Sequence, residues 1–273
     1  MANFSAKDVQ RLRQETGLGM MDAKKALEAN DGDYEASKKW LRERGLIKSA
    51  ERSGRANEQG AVAAARFPKD PSEGAARAGA IVELRSETDF VAKSPDFVAL
   101  VAELAQAVAE RGEPAVDEFK ERLETLRMTL KENIDVGRVV RFEAAGGAVL
   151  DTYTHVQNER GVNGVMIELT GGERAQAHDV ALHVAHARPE WRIRDEVPAD
   201  RIAAEREVLE NLTRNEGKPE QAIPKIVEGR INGFYKDNVL VEQPFVKDGK
   251  LSVQQFLGDA QVTRFAQVEI GRG

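Results

Sequence analysis

The sequence predicts an α+β fold: a small N-terminal three-helix domain, then a core of two related α+β halves with a helical hairpin inserted in the second. Three observations lead there. Before residue 47, apolar residues recur at helical spacing, with caps and breakers between the runs. After it, the order strand hairpin then helix occurs twice. Late in the chain, two helical patterns are separated only by Glu216-Gly217-Lys218, the pattern of an antiparallel hairpin. A length of 273 residues fits two or three such units.

The first domain, 1–47, opens with Ser5 and Asp8 three residues apart, a capping box, with Phe4 and Val9 at the staple positions. Val9 and Leu12 form its buried stripe. Thr16-Gly17-Leu18-Gly19 breaks the helix. A second runs from Met21 to Ala29 with Ala23, Ala26 and Leu27 inward. Gly32-Asp33 ends that helix and caps a third, which carries Ala36, Trp40 and Leu41 and stops at Gly45. Three short helices make a small core, better suited to docking than to catalysis. Residues 48–60 are polar and small and read as a linker.

The first core half, 61–136, begins with strand-like runs at Ala61–Phe67 and Ala78–Glu87 around a Pro-containing loop, a hairpin. Ser94-Pro95-Asp96 then starts a helix: a good cap, a proline at the first position and an acid for the helix dipole. Phe97, Val101, Leu104 and Val108 keep helical spacing. A second helix is expected from Val116 to Asn133. The second half, 137–273, has strands at Val139–Phe142, Ala148–Val156 and Gly164–Thr170, then a helix from about Arg174 to Ala187. Glu83-Leu84 and Glu168-Leu169 occupy corresponding places, a faint sign that the halves are related. The hairpin, about 198–237, has Ile202, Leu209 and Leu212 inward on one helix and Ile223, Val227, Ile231 and Phe234 on the other. A short helix at Val253–Leu257 and a strand at Val262–Ile270 close the pattern.

Composition narrows the function. The chain is 41% hydrophobic and 32% charged, with a net charge of −6, which argues against a positively charged nucleic-acid footprint over the whole protein. With no cysteine there are no disulfides, thiolate nucleophiles or Cys-ligated zinc, in keeping with a cytoplasmic protein. The N-terminus lacks a signal-peptide pattern, and no run approaches the ~18 apolar residues of a membrane span. Gly217-Lys218 lacks the flanking residues of a phosphate-binding loop, and Gly17-Leu18-Gly19 does not follow a strand, so no nucleotide binding is expected. His178, His183 and His186 share one helix. His183 and His186 are a turn apart, but no zincin-type Glu accompanies them, so no metal is expected.

Two features exceed a structural need. Met20 and Met21 are adjacent on a short helix and point in different directions, so at least one is expected at the surface, where methionine suits an adaptable protein contact. Asp89-Phe90 lies between a strand and a helix. Phe90 is either a core plug or an exposed wedge, and Val91 and Phe97 are available to fill the core in its place.

Leu12-Arg13-Gln14-Glu15-Thr16-Gly17-Leu18-Gly19-Met20-Met21-Asp22-Ala23-Lys24-Lys25-Ala26-Leu27 and Glu83-Leu84-Arg85-Ser86-Glu87-Thr88-Asp89-Phe90-Val91-Ala92-Lys93 resemble the two signatures of the elongation factor Ts family. Val180–Ala185 with Arg188-Pro189-Glu190, Ile226–Arg230 and Gln243-Pro244-Phe245-Val246 extend the resemblance along nearly the whole chain. It implies a ubiquitin-associated-like first domain, a two-subdomain core and a coiled-coil hairpin. It implies no enzyme but a guanine nucleotide exchange factor for elongation factor Tu, which promotes GDP release by disturbing the partner's Mg²⁺ and phosphate site and is displaced on GTP loading. The partner complex would be a heterodimer, or a 2:2 assembly, with no cofactor, membrane or nucleic acid. Leu12, Met20 and Met21 would contact elongation factor Tu. Thr88, Asp89, Phe90 and Val91 would form the wedge, and His183 would be its counterpart tip in the second half. Arg85 departs from the usual family residue, and a further C-terminal helix of some members has no counterpart here.

Overall fold

The computed structural model describes residues 4–16, 18–44, 55–70, 72 and 74–272. The first three helices are α1 (Ala6–Thr16), α2 (Met20–Ala29) and α3 (Tyr34–Glu43). The capping box forms: Ser5 N–H donates to the Asp8 carboxylate and Asp8 N–H to Ser5 Oγ. Asp33 caps α3 by accepting from Ala36 N–H at 2.9 Å. Leu12, Ala23, Ala26, Leu27 and Leu41 form the core, while Ala36 and Trp40 are half-buried. Ser37 takes the central place on α3, its hydroxyl bonded to Ala26 O. The expected stop at Gly45 and the linker residues 48–54 lie outside the described residues.

The first half contains β1 (Gln59–Phe67), β2 (Ala78–Ser86), the one-turn helix α4 (Asp89–Ala92), α5 (Pro95–Arg111), a 3₁₀ segment (Glu113–Phe119), α6 (Lys120–Leu130) and β3 (Asp135–Glu143). One continuous helix over 116–133 is not formed. The chain leaves Gly112 as a 3₁₀ segment containing Pro114, and α6 ends where Lys131 turns left-handed at φ 59°. Ser94 precedes α5 with Pro95 at its start, but the Ser94 hydroxyl donates to Val91 O instead of capping α5.

The second half contains β4 (Val149–Gln157), β5 (Arg160–Thr170), α7 (Arg174–Ala187), the hairpin helices α8 (Ala199–Asn215) and α9 (Ile223–Asn238), the short pair β6 (Pro244–Phe245) and β7 (Asp248–Ser252), α10 (Val253–Leu257) and β8 (Gln261–Glu269). The sheets are antiparallel, ordered β1-β2-β3 and β4-β5-β8. Strand β3 pairs with β2, so it belongs to the first half, and the boundary expected at 136/137 falls inside it. Each half therefore repeats one plan, strand–strand–helix–strand with the second strand central.

The central strands are covered on both faces. Ala80, Val82 and Leu84 face Phe97, Leu104 and Val108 of α5, whereas Ile81 enters a cluster with Leu150, Met166 and Val268 of the other half. On the hairpin, Ile223, Val227, Ile231 and Phe234 are inward as expected, but Leu212 is 47% exposed. The residue one turn after Leu209 is Thr213, and that is the buried one, held by Leu209 O and Arg230.

Candidate functional site

The loop from β2 to α5 is built around α4. Thr88 is its N-cap, its hydroxyl accepting from Val91 N–H at 3.4 Å. The approach to the turn is fixed from below. Glu132 accepts from both the Glu87 and Thr88 N–H groups, at 3.0 and 3.1 Å, and from the Thr88 hydroxyl. Glu87 in turn accepts from Asn133 N–H at 2.7 Å. Asp89 pairs with Lys93 one turn on, and this bond holds its carboxyl below the usual carboxylate range. Lys93 Nζ also lies 5.7 Å from the centre of the Phe90 ring.

Within this frame the two aromatic residues divide. Phe97 is fully buried and Val91 packs at the edge of the same core. Phe90 is 82% exposed. The ring is thus not a core plug, and a Phe held out on a braced turn is a feature of contact with something else. Glu132 and Lys93 were not singled out from sequence. A carboxylate two residues past a helix end carries no local signal of a partner 44 positions away.

Met20 and Met21 open α2 at 58% and 63% exposure, so both are at the surface. Leu12 is not: it is fully buried in the core of the three-helix domain and cannot itself be a contact residue.

His183 is also corrected. It lies in the middle of α7, 1% exposed, and is not a tip. Nδ1 accepts from Val246 N–H at 3.2 Å, which leaves the proton on Nε2, bonded to Gln243 Oε1 at 2.9 Å. Burial pushes its pKa below the ordinary 6.5. Gln243 passes the link on to Asp237 O and Ala187 O. His183 therefore anchors the β6–β7 pair, whose Val246 is exposed. Among the described residues no cluster of three or more His, Cys, Asp or Glu could hold a metal, and no helix is long and apolar enough to cross a membrane.

A braced, solvent-exposed Phe at this junction carries the second of the two signatures. The family profile described as Elongation factor TS matches residues 87–272, beginning at that junction. The chain belongs to the elongation factor Ts family. Curated relatives named Elongation factor Ts are similar over almost their full length. The protein of Nocardioides sp. is 44% identical, covering 99% of this chain and 100% of its own. That of Deinococcus radiodurans is 42% identical, covering 97% and 99%. That of Mycolicibacterium vanbaalenii is 40% identical over the whole of both. Family membership places the chain among translation elongation factors, in protein biosynthesis.

Proposed function

We propose that this chain is a non-enzymatic guanine nucleotide exchange factor for elongation factor Tu, acting in the cytoplasm through Phe90 as a wedge. The supporting observation is an 82% exposed Phe on a one-turn helix braced by Thr88, Glu132 and the Asp89–Lys93 pair. An exchange factor makes and breaks no covalent bond. It accelerates release because it binds the nucleotide-free partner better than the GDP-bound one, and its effect is capped by that difference. The partner's Mg²⁺ and phosphate contacts supply much of its hold on GDP. A ring driven against a neighbouring helix of the partner would weaken them, and GTP loading would reverse the process.

Division of labour follows from exposure. Met20 and Met21 offer deformable apolar contacts that hold the partner. Asp89 and Thr88 fix the turn, and Val91 roots it in the core. His183 acts indirectly, by holding the segment that displays Val246.

The test is release of a fluorescent GDP analogue from elongation factor Tu. Burying a Phe is worth about 1.5–3 kcal/mol, so Phe90→Ala is expected to lower the acceleration by roughly ten- to a hundred-fold. Unchanged acceleration with intact complex formation would sink the wedge reading. Met20→Asp with Met21→Asp should instead weaken capture, visible as a higher half-saturating concentration.

A further inference from the structure

We propose that Arg138 and Arg264 are a reciprocal pair of positioning residues that lock the two core halves at one angle, and that this rigidity lets the Phe90 turn act on its partner. The functional part of the proposal rests on the exchange reading above.

The halves follow a common pattern where they meet. Glu83 on β2 and Glu168 on β5 each lie on a central strand, are each 2% exposed, and each sit at a register shift of the pairing with the third strand. Each is met by an arginine from that third strand, and Glu83 also by Arg85 of its own strand at 3.0 Å. Arg138 of β3 gives its backbone N–H and, at 3.5 Å, its Nε to Glu83; Arg264 of β8 gives Nε and a terminal nitrogen to Glu168 at 3.0 and 2.6 Å. Burial alone would raise the Glu168 pKa, but the bonds from Arg264, Thr263 and Ala145 N–H outweigh it and keep the group ionised.

In each arginine the Nη2 group also crosses over. Arg138 donates to Glu269 O, at the end of β8, at 2.6 Å. Arg264 donates to Glu143 O, at the end of β3, also at 2.6 Å. Each acceptor stands five positions beyond the other half's arginine, so the two links are exchanged by one quasi-two-fold axis. The apolar contact obeys the same axis. A Cβ on Gly79 would come within 2.7 Å of Leu150 and Met166, and one on Gly164 within 2.7 Å of Val62 and Ile81, which hold the matching places. This is the geometry of an isologous dimer interface within one chain.

A guanidinium is planar, with its N–H groups in a fixed fork. Nε of each fork is tied to a buried carboxylate, so the Nη2 beside it can keep its cross-half carbonyl at only one angle between the halves. Rocking one half on the other would break both links at once. Phe90 follows the central strand of one half, and Val246 lies in the β6–β7 turn of the other, held by His183 of α7. The latch therefore sets their separation. A wedge mounted on a soft frame would yield where a stiff one deforms its partner.

The absence of cysteine makes the test direct. Spin labels are placed at exposed Glu121→Cys in the first half and Asp259→Cys in the second, and their separation is measured by double electron–electron resonance. Lysine keeps a charge beside each glutamate but lacks the fork. The labelled parent should give one narrow distance. The Arg138→Lys/Arg264→Lys variant should give a broadened or shifted distribution, with the maximal acceleration of GDP release reduced about tenfold and capture of elongation factor Tu retained. A folded double variant with an unchanged distribution overturns the latch, and so does a broadened distribution with undiminished exchange. If the double variant does not fold, each single Arg→Lys variant is judged by the same outcomes. Phe90→Ala separates the two readings: it should lose exchange while keeping the narrow distance. A Phe90→Ala chain of full activity refutes the wedge, and the Lys variants still judge the latch by distance and exchange.

Discussion

His183 makes a quantitative prediction about pH. It is buried, neutral, and bonded on both ring nitrogens. Protonation would place a hydrogen on Nδ1, against the Val246 N–H that now donates to it, and would charge a group out of reach of water. The folded pKa is below 6.5 for that reason, whereas the unfolded chain titrates near 6.5. Under these conditions the unfolded state binds the extra proton, so the stabilisation is complete above pH 6.5 and declines as pH falls toward the folded value. The slope approaches about 1.4 kcal/mol per pH unit. The loss between pH 7.5 and 5.5 is therefore at most about 1.4 kcal/mol. The assay is urea unfolding at several pH values, on the parent and on His183→Asn, whose carbonyl can still accept from Val246 but does not titrate. The variant should start about 1–3 kcal/mol less stable, and its further loss between pH 7.5 and 5.5 should be smaller than the parent's, by no more than that amount. Glu168 and Glu269, held low by their arginines, titrate well below this window. Parallel pH curves for parent and variant would refute the claim that the fold keeps this imidazole neutral.

Three further outcomes are expected. Phe97→Ala should cost about 3–5 kcal/mol of stability and Phe90→Ala less than about 0.5, read by thermal or urea unfolding; equal costs would mean that Phe90 is part of the core. Gly164→Ala forces a methyl within 2.7 Å of two branched side chains of the opposite half and should destabilise by about 1–3 kcal/mol, read by urea unfolding. Asp33→Ala removes the acceptor for Ala36 N–H and should lower the stability of the three-helix domain by about 1 kcal/mol, measured by helical circular dichroism on heating.

What the sequence made legible was local. Caps, breakers and helical spacing are properties of a few consecutive residues, so α1 to α3, α5, α7 and the inward face of α9 were foreseeable from them. The exposure of Phe90 was legible only as one of two alternatives, since Val91 and Phe97 flank it and could fill the core in its place. The failures share a cause, which is partners distant along the chain. β3 was assigned to the wrong half because nothing in Val139–Phe142 says that it pairs with β2. Leu212 was placed inward because one apolar residue off the stripe looks like another until the hairpin's register is known. Leu12, inside a shared motif, was given a contact role although that position serves packing. His183 was taken for a tip because its acceptor and donor, Gln243 and Val246, lie 60 and 63 positions away. The faint Glu83/Glu168 correspondence proved the deepest sign of all, since both are the buried anchors of the two sheets.

The order of the strands also decides when each half can fold. The first sheet is complete once Glu143 has been made, from strands that follow one another closely. The second cannot close until β8 arrives, because Asn163 on β5 must find Glu269 across α7, the hairpin and the β6–β7 pair. Pairings that span long loops form slowly, and domains emerge from synthesis in order. A growing chain therefore carries a finished first half beside a β5 whose outer edge is unpaired, and such an edge invites pairing with other chains. The hairpin that interrupts the second half lengthens that interval. Nascent chains halted before Gln261 should resist protease across β1 to β3 and be cut within β5.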